Sequence, residues 1–134
     1  MTDRELLQCA VAAREMAYAP YSGFRVGAAL VGKSGKVYTG CNVENAAYSP
    51  TNCAERTALF KAVSEGEREF VSIAIVGGMG EDIADFCAPC GVCRQVLAEF
   101  CDADFRVLLG TPDKPQAFSF AELLPYGFGK SNLE

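Results

Sequence analysis

Cys90 and Cys93, in the run Pro89-Cys90-Gly91-Val92-Cys93-Arg94, stand three residues apart behind a proline. That arrangement predicts a helix beginning at about Cys90, with both sulfurs on one face of its first turn. The pair is a preformed bidentate metal ligand. Cys53 marks a second predicted helix start, ahead of Ala54-Glu55-Arg56-Thr57-Ala58-Leu59, and a helix N-terminus favours the thiolate that a metal needs. Two helix N-termini can therefore converge on one ion, and the rest of the chain must allow it.

The remaining pattern supplies a scaffold of that kind. Thr2-Asp3-Arg4-Glu5 is a capping box, followed by Leu6, Ala10, Ala13 and Ala17 at helical spacing up to Pro20. Val26–Val31 reads as a buried strand, turned by Gly32-Lys33-Ser34-Gly35 into a second strand at Lys36–Gly40. A polar loop from Cys41 to Asn52 leads to a helix over Cys53–Glu65, closed by Gly66. Val71–Val76 is a near-continuous apolar run that reads as a strand ended by Gly77-Gly78-Met79-Gly80. The Cys90 helix extends to about Cys101, Phe105–Leu109 is another buried strand, and Ala117-Phe118 a short addition. Ser119-Phe120-Ala121-Glu122 repeats the capping box for a last helix ending near Pro125. Helices alternating with strands predict a three-layer α/β/α domain with an antiparallel edge hairpin, one domain over residues 1–134. Gly27 to Ser34 also fits the phosphate-loop pattern, but its interior is apolar and a second strand follows it, so the strand and hairpin turn take precedence.

Composition narrows the chemistry. The chain has no histidine, which removes His-bearing zinc sites, the Ser-His-Asp triad and the Cys-His nucleophile pair together. Thiolates and carboxylates remain as metal ligands. Seven cysteines in a chain with a charged start and no long apolar run read as reduced thiols, and the expected location is the cytoplasm. A net charge of -5 with no basic run argues against nucleic acid, and no segment suits a membrane, so a small-molecule substrate is expected.

Cys53, Cys90 and Cys93 would hold one zinc with a tetrahedral position left open, as a catalytic site requires; Cys87 as a fourth ligand would close it into a structural site. The open site is favoured. Glu55, two residues past a ligand, is placed to exchange protons with water without binding the metal, and neither a structural zinc module nor a thioredoxin-like redox pair at Cys90 and Cys93 explains it. Cys9, Cys41, Cys87 and Cys101 read as small buried hydrophobes. Arg56, three beyond Cys53 on the same helical face, can donate to ligand sulfur and offset the charge of three thiolates. Asn42 and Glu44, two apart in an extended segment, point the same way and suit a pair of hydroxyls. In the tail, Tyr126 and Phe128 sit between turn formers with too little chain left to bury them, so they need a partner surface.

Cys53-Ala54-Glu55 followed by Pro89-Cys90-Gly91-Val92-Cys93 resembles the signature of the zinc-dependent nucleobase and nucleoside deaminases. With Phe24–Leu30, Gly40–Tyr48 and Cys90–Val96, the chain is similar over nearly its whole length to the short cytidine deaminases with three cysteine ligands. That resemblance implies hydrolytic deamination of cytidine and deoxycytidine, on a five-stranded α/β/α fold assembled as a homotetramer. It also implies Glu55 as proton shuttle and Asn42 and Glu44 on the ribose, with Phe24 as a pocket wall and the Ala54 backbone on the base. Phe128, or else Tyr126, would reach a neighbouring site. Gly80 to Cys87 departs from the family's usual spacing, which implies a longer loop there. An aminonucleoside-antibiotic deaminase, of the kind that acts on blasticidin S, shares the same zinc residues and is the other enzyme reading.

Overall fold

The computed structural model describes residues 1–134 and contains one five-stranded sheet in the order β2-β1-β3-β4-β5. β1 spans Phe24–Gly32, β2 Val37–Cys41, β3 Phe70–Met79, β4 Arg106–Thr111 and β5 Lys114–Ser119. The sheet is mixed. β1 pairs antiparallel with β2 and β3, β4 pairs antiparallel with β5, and only β3 and β4 run parallel, in the register Ser72 with Arg106 and Ala74 with Leu108. The helices are α1 at Asp3–Arg14, α2 at Ala54–Ser64, α3 at Gly91–Ala98 and α4 at Phe120–Leu123, with a 3₁₀ turn at Lys130–Leu133. α3 lies in the crossover that a parallel pair demands.

Alternation along the strands divides the core in two. Ala28, Leu30, Ile73, Ile75, Val107 and Leu109 face one side and pack with Ala58, Leu59 and Ala62 of α2, Leu97 of α3 and Phe120 of α4. Ala29, Ala74, Val76 and Leu108 face the other and receive Leu6, Leu7 and Ala10 of α1. Three layers result, as the sequence predicts, and each large apolar side chain buried this way contributes roughly 2 kcal/mol. Two close approaches set the spacing of the layers. A Cβ at Gly27 would lie 2.0 Å from the Ala10 carbonyl, and one at Gly40 would lie 2.5 Å from the Ala58 nitrogen, so α1 and α2 rest directly on glycine backbone.

Element ends differ from the sequence-based expectation for identifiable reasons. α1 begins with the expected capping box, Thr2 and Glu5 exchanging hydrogen bonds, but ends at Arg14, well before Pro20. There the chain turns so that Tyr18 bridges to Val43, tying the loop before β1 to the loop that follows β2. β3 does not stop at Val76. Its ladder with β1 continues through Gly77, Gly78 and Met79, because Val26, Arg25 and Phe24 supply partners. α3 is shorter than expected, ending at Ala98 with Cys90 as its N-cap. β5 is a full six-residue edge strand whose polar start, Lys114-Pro115-Gln116, conceals it from an apolar pattern. No helix is long and apolar enough to cross a membrane.

Candidate metal centre

Cys53 and Cys90 are the N-caps of α2 and α3, and neither uses its side chain to cap the helix. Their sulfurs are free to face each other. Cys53 Sγ lies 3.8 Å from Cys90 Sγ, and with Cys93 Sγ the three atoms fall within 4.8 Å of one another. That spacing fits three thiolates around one tetrahedral ion, with Zn–S distances of about 2.3 Å. The three environments differ, since Cys93 is fully buried, Cys53 partly so, and Cys90 exposed. Cys87 is not among the clustered sulfurs. It packs against Gly77 of β3 instead, its Sγ 2.7 Å from where a Cβ at Gly77 would stand, lines the cavity beside the cluster, and burial pushes its thiol up to about 11.

The local electrostatics suit a metal-binding thiolate cluster. Arg56 donates from its NH2 to Cys53 Sγ at 3.3 Å, while its buried Nε has no partner among the protein atoms. A hydrogen bond from Cys93, reinforced by Arg56, holds the Cys53 thiol down to about 5; the Cys93 thiol moves up as the proton-bearing member of that pair. Glu55, one residue into the same helix turn, is 4 % exposed, and burial raises its carboxyl to about 7, with the neighbouring Cys53 charge acting in the same direction.

A cavity of about 230 Å³ is lined by Cys53, Glu55 and Cys90 together with Phe24, Asn42 and Glu44. Asn42 and Glu44 are both fixed by backbone groups. Asn42 accepts from the Val26 N–H at 2.9 Å and donates to the Phe24 carbonyl at 2.8 Å. Glu44 accepts from the Tyr21 and Ser22 N–H groups at 2.9 and 3.1 Å and from the Ser22 hydroxyl. Each keeps hydrogen-bonding capacity to spare. Ala54 is fully buried and does not line the cavity with its side chain. Phe128 does not line it and is 58 % exposed, with its carbonyl held by Gln95 Nε2 at 2.8 Å; Tyr126 is wholly exposed. Sequence reasoning missed Ser22, Val26, Thr51, Asn52 and Ala88 as lining residues, and the one available signal was their nearness to Phe24, Cys53 and Cys90 in the chain. A larger cavity, about 680 Å³, lies at the opposite end of the sheet among Lys33, Arg68, Glu69, Asp102 and others, away from the sulfurs.

Comparisons with known proteins place the chain in a family. The family model described as the cytidine and deoxycytidylate deaminase zinc-binding region matches residues 1–109. A cytidine deaminase of Halalkalibacterium halodurans is 53% identical over 133 residues, covering 98% of each chain. One of Sporosarcina psychrophila is 52% identical over 122 residues, covering 90% of this chain and 87% of that one. The crystal structure of cytidine deaminase from Burkholderia pseudomallei superposes with a TM-score of 0.87 at 50% identity, covering 96% of this chain and 100% of that one. With the sulfur cluster, the buried carboxylate beside it and a match over most of the chain, this protein belongs to the cytidine and deoxycytidylate deaminase zinc-binding family.

Proposed function

We propose that the chain is a zinc-dependent deaminase that converts cytidine and deoxycytidine to uridine and deoxyuridine with release of ammonia. Residues 1–134 act as one catalytic domain. The observation that carries this reading is the placement of a buried carboxylate, Glu55, outside the group of three cysteines and in the cavity that Cys53 and Cys90 line. Cys53, Cys90 and Cys93 would hold zinc, which would supply Lewis-acid activation of water. Glu55 takes the proton from the attacking water and returns it to N3 of the pyrimidine; it then takes the proton of the new hydroxyl on C4 and gives it to the amine, which leaves as ammonia as C4=O forms. One carboxylate suffices because each transfer hands it back in the form that the next requires. Arg56, donating to Cys53 Sγ, offsets the excess negative charge of three thiolates. Phe24 forms a wall for the base, the Ala54 backbone reaches the base from the first turn of α2, and Asn42 and Glu44 receive the ribose hydroxyls with donors and acceptors already fixed in place.

The exposed tail extends the reading to assembly. Tyr126 and Phe128 present apolar surface that the chain's own cavity does not use, and we assign Phe128 to the active site of a neighbouring copy in a homotetramer. Seven unpaired cysteines suit a reducing compartment such as the cytoplasm. The test is a spectrophotometric assay of the zinc-loaded protein on cytidine, deoxycytidine, cytosine, CMP and blasticidin S. Turnover of the two nucleosides above the others is expected. Turnover of blasticidin S alone would replace this reading with the antibiotic-deaminase one, and zinc binding without turnover of any of them would make the site structural.

A further inference from the structure

The three sulfurs are held by unequal means. Cys93 is locked by complete burial and Cys53 receives a hydrogen bond from Arg56, but Cys90 is exposed, makes no side-chain capping bond to α3, and its Sγ meets only Cys53 Sγ, at 3.8 Å. Arg94 stands one turn further along the helix. Arg94 Nε donates to the carbonyl of Pro89 at 2.8 Å, the peptide that leads directly into Cys90. Its NH1 donates to the carbonyl of Leu123, at the end of α4, at 2.6 Å. Arg94 forms no ion pair, so its guanidinium is committed to two backbone carbonyls. The adjacent Gln95 holds the Phe128 carbonyl in the same manner.

We propose that Arg94 is the positioning residue for the Cys90 half of the metal centre, and that the C-terminal segment is a working part of that centre because it anchors the guanidinium. The planar guanidinium spans two acceptors at fixed separation, so it sets the direction of the Pro89–Cys90 peptide and with it the Cα–Cβ bond of Cys90. Residues beyond 109, which the match to the family's zinc-binding region does not reach, thereby enter the centre through the Leu123 carbonyl. The arrangement gives each sulfur its own restraint: burial for Cys93, Arg56 for Cys53, Arg94 for Cys90.

This inference rests on the reading of the three cysteines as zinc ligands, and the experiment separates the two. Full-length wild type, Arg94→Met and Arg94→Lys are loaded with zinc, and the rate of zinc release to a chromogenic chelator is measured beside the thermal midpoint of each metal-free protein. Loss of such an outer hydrogen bond weakens metal binding by about tenfold or more, so Arg94→Met is expected to release zinc at least about tenfold faster. Its metal-free midpoint should stay close to that of wild type. Arg94→Lys, whose single ammonium can serve one carbonyl but not both in the same plane, should fall between them. With cobalt in place of zinc, the visible d–d bands of Arg94→Met should shift as Cys90 loosens. Equal release rates in wild type and Arg94→Met overturn the inference, as does faster release accompanied by a matching loss of metal-free stability. If Arg94→Met does not fold, Arg94→Lys decides, and wild-type release from it overturns the inference. A wild-type protein that takes up no zinc overturns the ligand reading instead.

Discussion

Glu55 and Arg56 are consecutive residues with opposite assignments, one kept almost dry at the cavity and the other turned back to a sulfur. Glu55→Gln keeps size and hydrogen-bonding but cannot carry a proton. It should retain zinc and the fold while kcat falls by about two to four orders of magnitude, and near-normal kcat would remove Glu55 from the mechanism. Metal analysis of single Cys→Ala variants is expected to show zinc lost from Cys53, Cys90 and Cys93 variants and kept by Cys87→Ala; loss from Cys87→Ala would close the coordination shell. These residues were legible because the chemistry of the site is written in residue types and short spacings. Arg94 was not, nor was Arg14, which is 1 % exposed and donates to the carbonyls of Arg25, Gly78, Gly80 and Asp82 around the segment after β3. Their acceptors are backbone carbonyls, which every residue has, so no pattern of side chains announces them.

At the scale of elements, the geometry of the site depends on how closely α2 approaches the sheet. Gly40 of β2 lies under the backbone of Ala54 and Ala58, and a Cβ there would come within 2.6 Å of the Ala54 carbonyl. Gly40→Ala should therefore lift the first turn of α2, which carries Cys53 and Glu55, lowering stability by about 1–3 kcal/mol and weakening zinc retention. A wild-type thermal midpoint and zinc content in that variant would show that the contact gives way freely. A second element-level contact is electrostatic: Arg106 of β4 donates twice, each at 3.1 Å, to Asp3 at the start of α1 and holds its carboxyl below the ordinary 3.8. A lowered acid pKa gives stability that is present above pH 3.8 and lost as pH falls through the lowered value. Because both partners are nearly half exposed, the contribution is about half a kcal/mol. Urea midpoints of Asp3→Asn and wild type should differ slightly at neutral pH and converge well below pH 3.8; a difference that persists in acid would assign the effect to packing. Helices and buried strands were legible here from caps and apolar runs, with Thr2 and Glu5 the plainest case. The ends were not, because β3 reaches Met79 only through hydrogen bonds that Phe24, Arg25 and Val26 supply from elsewhere in the chain.

The whole molecule leaves Tyr126 and Phe128 uncovered while its cavity is lined in part by Phe24, Asn42 and Glu44 from the chain's first half. The exposed aromatics called for a partner surface on physical grounds, but no periodicity within one chain specifies what a second copy supplies, so the tetramer and the role of Phe128 came from resemblance. Aromatic cover of a planar base is worth about 1 kcal/mol or somewhat more, so Phe128→Ala should raise KM about tenfold and leave zinc content unchanged. Complementation in trans distinguishes a donated aromatic from one that folds back onto its own chain. A chain truncated after Leu124 keeps the Leu123 carbonyl for Arg94 but lacks Phe128, whereas Glu55→Gln keeps Phe128 but lacks the proton carrier. Coexpressed and purified as a mixed oligomer, the two should form some sites that combine an intact Glu55 from the first with Phe128 from the second. Those sites should work at wild-type KM, giving a low-KM component that neither parent has. Activity equal to the average of the parents, or a monomeric protein with full activity, would place each active site within a single chain.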